Sequence, residues 1–297
     1  MYEQAAAKFS GLWVPVVTPF GADGTVDLAS LKRLAERLLG DGVDGLVALG
    51  TTGEPSTMTA DERRQVVEVC ASVCSQAGRP LLVGAGTNST AATVEEVRLV
   101  TDGLTVAGVL IVVPYYTRPS EQAVVEHFSL VADQSPVPVV LYNIPYRTGR
   151  GLGAAALIEA SRHRNIVGLK QAVGGIDTDT LEVLARGGEG FDVLAGDDAF
   201  IAPTLLMGAA GAIAAAAHLC TPQFVEMVAA ARAGDVTRSV QLATKLLPVV
   251  TAGFVEPSPS VWKGALAAQS EIANAYVRRP LTTASQSSVS RLLTTVG

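Results

Sequence analysis

The feature that most constrains this chain is a rhythm: eight short apolar runs separated by longer segments of helical periodicity. The runs are "LWVPVVT" (12–18), "GLVALG" (45–50), "PLLVGAG" (80–86), "GVLIVV" (108–113), "VPVVLYN" (137–143), "IVGLK" (166–170), "FDVLAG" (191–196) and "GAIAAAA" (211–217). They are continuous, without polar alternation, as parallel strands covered on both faces should be. Between the first two lies "LASLKRLAERLLGDG", with Leu31, Leu34, Leu38 and Leu39 on one helical face and Gly40 as a stop. The next helix opens at "TADE", where Thr59 can cap and Glu62 can reach back in a capping box. "EEVRLV" and "QAVVEHFSLVAD" supply helices for the following gaps.

Eight strand–helix alternations over about 220 residues predict an α/β fold, a (β/α)8 TIM barrel, whose typical size is about 250 residues. An open doubly wound sheet is the rival. It would usually place a glycine-rich nucleotide loop after the first strand, and the turn there reads "TPFGADG". Past Thr221 the strands stop and "PQFVEMVAAARAGD" begins a helical tail. The expected division is a barrel over 1–220 and a C-terminal helical extension over 221–297 packed on it.

Of the 297 residues, 48% are hydrophobic and 17% charged, enough for a large core; aromatics are only 5%, so Ala, Val and Leu must fill it. A net charge of −6 argues against nucleic acid as a partner. No apolar stretch reaches membrane-spanning length, and "MYEQAAAKFSG" lacks the basic start and apolar core of a signal peptide. Cys70 and Cys74, four apart on a helix, read as inert packed thiols, and Cys220 is remote. The expectation is a cytoplasmic protein, neither membrane-bound nor bound to nucleic acid.

In such a barrel the chemistry sits at the C-terminal ends of the strands. The second strand ends in "GTTGEPS" (50–56), where two glycines bracket two threonines and leave N–H groups and hydroxyls for an anion. An ordinary glycine-rich turn is the alternative. The fourth ends in "VVPYYTRPS", with Tyr115 and Tyr116, and the fifth in "LYNIPYRTG", with Tyr142 and Arg147. Three of the chain's 6 tyrosines therefore stand at these ends. Tyrosine tips donate and accept, so with a threonine they can pass a proton; otherwise they pack loops. The sixth strand ends in Lys170. The other lysines are Lys8, Lys32, Lys245 and Lys263, of which Lys32 reads as a helix's polar face and Lys8 as part of a frayed terminus. Desolvation would depress the Lys170 pKa and leave an amine able to attack a carbonyl, unless it is a structural lysine paired with a carboxylate. His127, His163 and His218 are scattered without a second ligand at useful spacing, so no metal site is expected. An aldol-type reaction would use an imine as its electron sink.

Five motifs taken together, "GTTGE" (50–54), "YYTRPS" (115–120), "YNIPYRTG" (142–149), "GLK" (168–170) and "GDDA" (196–199), resemble those of the dihydrodipicolinate synthases. More broadly they resemble the pyruvate-dependent class I aldolases that include N-acetylneuraminate lyase. The resemblance runs from about Leu12 to Pro280 and itself implies the barrel. It implies that Lys170 forms a Schiff base with pyruvate and that Thr52, beside Thr51, holds the pyruvate carboxylate. Tyr142 would move protons, with Thr51 linking it to Tyr116. Gly53, Gly196 and the backbone carbonyl of Ile213 would line the substrate pocket. In the family the residue matching Tyr116 comes from the neighbouring subunit, which implies a homo-oligomer: a tight dimer, usually within a tetramer. Arg147, whose planar fork suits a carboxylate, matches the synthase arginine that binds aspartate semialdehyde, and the sialic-acid lyases generally lack it. The implied reaction is condensation of pyruvate with L-aspartate semialdehyde, an aldehyde, with no cofactor and no metal.

Departures from the pattern are present. Gln171 stands where many members carry an acidic residue, which would change the charge near the imine, and Trp262 in "EPSPSVWKGAL" adds bulk at a subunit contact or pocket rim. At the family's lysine feedback site Asn88 and Tyr115 look retained, whereas Pro55, Ala60, Arg63 and Ala92 are changed, so weak or absent inhibition by lysine is expected. Two other readings stay open: an aldolase or lyase for a sugar-derived 2-oxo acid, and a non-catalytic barrel with a binding role.

Overall fold

The computed structural model describes residues 9–296; the N-terminal segment containing Lys8 lies outside the described residues. Eight parallel strands, β1 Gly11–Pro15, β2 Gly45–Ala48, β3 Leu81–Ala85, β4 Gly108–Val112, β5 Val139–Asn143, β6 Ile166–Gln171, β7 Asp192–Ala195 and β8 Gly211–Ile213, close into a barrel in sequence order, with β8 returning to β1. Each apolar run thus supplies one strand. The helices around and beyond them are α1 Leu28–Gly40, α2 Ala60–Gln76, α3 Thr90–Thr101, α4 Glu121–Gln134, α5 Pro145–Thr148, α6 Ala154–Ala160, α7 Thr178–Arg186, α8 Ile201–Leu206, α9 Thr221–Arg232, α10 Val236–Gly253, α11 Ser260–Ala268 and α12 Gln286–Val296.

Local chemistry explains the boundaries. Leu31, Leu34, Leu38 and Leu39 of α1 are buried, while Asp27 caps its start by accepting from the Ser30 N–H. On α2 both halves of the capping box form: the Thr59 hydroxyl accepts from the Glu62 N–H, and the Glu62 carboxylate accepts from the Thr59 N–H. The last strand is shorter than its apolar run. Asp198 accepts from the Ala216 N–H at 2.6 Å and His218 bonds the Ala215 carbonyl, so residues Ala216–His218 form a 3₁₀ turn. Helix α9 follows β8 as each earlier helix follows its strand, so counted with the barrel it puts the expected 220/221 division between β8 and its own helix.

Two apolar layers result. Trp13, Val47, Leu82, Leu110, Val140 and Leu194 fill the barrel interior, and a larger layer of Ala, Val and Leu packs strands against helices. Cys70 and Cys74 are buried in that outer layer, and all three cysteines are free. Among the described residues no helix is long and apolar enough to cross a membrane.

Candidate active site

A cavity of about 600 Å³ opens at the C-terminal mouth of the barrel. Lys170 rises into it from β6. Its register neighbours are Tyr142 on β5 and Leu194 on β7, so strand pleat points lysine and tyrosine to the same side. The Lys170 Nζ lies 4.3 Å from the centre of the Tyr142 ring. Lys170 is 7% exposed, and among the described residues it forms no ion pair. Burial pulls its pKa down to about 8, against the opposing charges of Asp198 and Asp197, with Arg147 adding a little to the depression. A Cβ on Gly196 would sit 2.8 Å from Ala172 Cβ and from the Gln171 carbonyl oxygen and 3.0 Å from Lys170 Cγ, so the close approach of this chain to the end of β6 requires glycine.

Tyr142 is buried too. Desolvation pushes its pKa up to about 12, partly offset by a hydrogen bond with the Thr51 side chain and the charge of Arg147. Thr51 and Thr52 reach the same cavity from the 3₁₀ turn Thr51–Gly53 after β2. Gly53 is not part of the lining: its N–H donates to the Gly50 carbonyl at 2.8 Å and closes the turn. Ile213, at the end of β8, also faces the cavity.

Arg147 stands on the short helix α5, exposed at the rim, where it lines both this cavity and a neighbouring one of about 590 Å³. Asp197 and Asp198 of "GDDA" line the same cavity. Asp197 accepts from the Gly174 N–H at 2.7 Å and from the Tyr146 hydroxyl at 3.3 Å; burial raises its pKa. Burial likewise raises Asp198 to about 6, while the Ala216 N–H holds it down. Phe254 and Glu256, from the chain following α10, complete the wall. Nothing local marks these last two, because they arrive from the helical extension.

The structure does not bring Tyr116 into the cavity of its own chain. Its backbone is left-handed (φ 72°), its N–H donates to the Thr148 carbonyl, and its side chain is 86% exposed. Tyr115 lines the neighbouring cavity together with Thr51 and Arg63. There the Arg63 guanidinium is paired with Glu96, which also accepts from the Gly86 N–H.

Gln171 points to the opposite face of β6 from Lys170, which corrects the expectation that it alters charge beside the amine. It accepts from Asn143 Nδ2 at 3.0 Å and donates to the Thr180 hydroxyl at 3.0 Å in a buried network between strand and helix. Trp262 is fully buried and packs edge-on against Phe254, ring centres 5.2 Å apart, so it supports the rim from behind. His218 is a core residue: its Nε2 accepts from the Val17 N–H. His127 is buried on α4 and His163 pairs with Asp133, both remote from the lining. Among the described residues no cluster of three His, Cys, Asp or Glu side chains could hold a metal ion.

Chemically, the cavity combines a desolvated amine, a phenol that can exchange protons with a hydroxyl, a polar turn suited to one carboxylate, and a guanidinium suited to a second. The chain matches the family model described as the dihydrodipicolinate synthetase family over residues 8–296. It is 35% identical to 4-hydroxy-tetrahydrodipicolinate synthase 2 of Clostridium acetobutylicum over 92% of this chain and 94% of that protein. It is 38% identical to the 4-hydroxy-tetrahydrodipicolinate synthase of Moorella thermoacetica, over 84% and 85% respectively. The solved dihydrodipicolinate synthase of Thermotoga maritima superposes with a TM-score of 0.93 at 32% identity, covering 97% of this chain and 98% of that one.

Proposed function

The chain belongs to the dihydrodipicolinate synthetase family, and from that premise we propose that it condenses pyruvate with L-aspartate semialdehyde to 4-hydroxy-tetrahydrodipicolinate through an imine on Lys170. The observation that carries the reading is the buried amine of Lys170 beside Tyr142, without an ion-pair partner among the described residues, in a cavity with Arg147 at its rim. With a pKa of about 8, roughly a tenth of the amine is neutral at pH 7, against about one part in three thousand for an ordinary lysine.

The neutral amine attacks the pyruvate ketone to give a carbinolamine. Tyr142, holding its proton at rest, donates it to the departing hydroxyl, which leaves as water and yields the iminium. Thr51 and Thr52 hold the carboxylate meanwhile. The iminium withdraws electrons from the methyl carbon, so one methyl proton passes to the tyrosine oxygen and an enamine forms. Its carbon attacks the aldehyde of the second substrate, whose oxygen takes the proton back. The neutral amine of that substrate then attacks the iminium carbon and passes a proton to the lysine nitrogen. Lys170 leaves as its neutral amine while the ring C=N forms, and the remaining proton on the ring nitrogen returns to the Tyr142 oxygen. The iminium is the electron sink, so the reaction asks for no cofactor and no metal.

Arg147 takes the carboxylate of the second substrate. The exposure of Tyr116 supports a homo-oligomer in which this tyrosine reaches the Thr51 relay of a partner copy. The free cysteines suit a cytoplasmic location. A direct test follows pyruvate consumption with L-aspartate semialdehyde and with sugar-derived aldehydes. Turnover with the first supports the reading; turnover only with the second would move the chain to the sugar-acid aldolases.

A further inference from the structure

Lys170 has a counterpart that the chemistry leaves unused. Lys263 on α11 is wholly inaccessible, and its Nζ donates to Glu54 Oε1 at 2.5 Å and to the Tyr276 carbonyl at 2.9 Å, 4.1 Å from the centre of the Phe20 ring. The second Glu54 oxygen accepts from the Arg278 N–H at 2.9 Å. One carboxylate thereby joins two separate points of the C-terminal extension. Arg278 extends the tie, donating to the carbonyls of Gly24 and Thr57 and to Glu62.

Glu54 is the residue immediately after the Thr51–Gly53 turn. Its own backbone is left-handed (φ 58°), a conformation non-glycine residues seldom adopt, and its N–H closes the turn on the Thr51 carbonyl at 3.2 Å. The residue ending the turn is therefore fixed through its backbone on one side and through both carboxylate oxygens on the other. A buried ion pair is a poor source of stability, because desolvation offsets the attraction and apolar side chains would fill the same space. What it supplies is direction, since charge-assisted hydrogen bonds hold their partners to a narrow geometry.

We propose that the Glu54–Lys263 pair is a positioning device for substrate: it locks the Thr51–Gly53 turn so that the Thr52 hydroxyl and the N–H groups at its start receive the pyruvate carboxylate beside Lys170, while the Thr51 hydroxyl stays on Tyr142. The proposal rests on the reading of Lys170 and Thr52 given above. Glu54 and Lys263 touch no substrate; they act through the turn, and they make the C-terminal extension a part of the pyruvate site.

Removing one partner leaves a buried charge, so the informative variants conserve charge and shift position: Glu54→Asp and Lys263→Arg, with the neutral double variant Glu54→Gln/Lys263→Met beside them. Borohydride trapping of pyruvate on Lys170, titrated against pyruvate, separates half-saturation from maximal rate without the second substrate. In the folded variants the half-saturating concentration is expected to rise about tenfold, with the maximal trapping rate changed by less than about threefold. Lowered melting temperature with half-saturation within about twofold of the parent is the signature of a purely structural pair and overturns the device. Absence of any trapping in the parent protein would overturn the underlying reading of Lys170, and this proposal with it.

Discussion

Lys170 and Tyr142 are register neighbours on adjacent strands, and the lysine Nζ sits 4.3 Å from the centre of the tyrosine ring. Burial outweighs the opposing charges of Asp198 and Asp197 and leaves the lysine pKa near 8. Imine formation needs the neutral amine, whose fraction grows as pH rises. The rate of pyruvate trapping at low pyruvate is therefore expected to climb through an inflection near pH 8 and then level. A profile still rising steeply toward pH 10 would mean an ordinary lysine.

Asp198 shares the cavity with Lys170, and its negative charge favours the ammonium form. Replacing it with asparagine removes that stabilisation, so the lysine pKa falls further and the inflection moves to lower pH. The displacement should be visible in the same profile, and movement to higher pH would contradict the electrostatic assignment.

Arg147→Ala is expected to separate the two substrates. The guanidinium stands exposed at the rim and is assigned to the second carboxylate, so trapping of pyruvate should survive. Condensation with L-aspartate semialdehyde should fall by about a hundredfold in kcat/KM, the scale of a lost charge-assisted bidentate contact to substrate.

Gly253 abuts the Trp262 indole so closely that an added Cβ would lie 1.8 Å from it. Gly253→Ala should destabilise the fold by about 1–3 kcal/mol in denaturant titration, the usual cost of overpacking a core. Adding Trp262→Leu should recover part of the loss, since the two residues share one contact.

Inhibition by L-lysine should be weak or absent, with no half-inhibition at micromolar concentrations. The neighbouring cavity already holds a cation, Arg63, paired with Glu96. An incoming lysine would meet like charge and find that carboxylate engaged. An inhibition curve with a micromolar midpoint would contradict this.

Much of the architecture is written locally. The eight apolar runs, the leucine face of α1 and the Thr59–Glu62 capping box each carry their own periodicity or spacing, and each forms as read. Lys170 was visible for the same reason: a charge at the end of an apolar strand is a local contradiction. Gln171, by contrast, is next to it in sequence but faces away, since strand side chains alternate. The second buried lysine shows what spacing cannot reveal. Lys263 sits in the almost wholly apolar helix SVWKGALAA, which hints at burial, but its partner Glu54 is 209 residues earlier and no local spacing points to it. Phe254 and Glu256 reach the cavity in the same way, by the folding back of the extension over the barrel mouth.

The central claim is that Lys170 is the nucleophile, and mass mapping after borohydride reduction in the presence of pyruvate tests it most directly. One reduced pyruvyl adduct per chain is expected, on the peptide containing Lys170, and none on Lys263. No adduct, or an adduct confined to another lysine, would contradict the account.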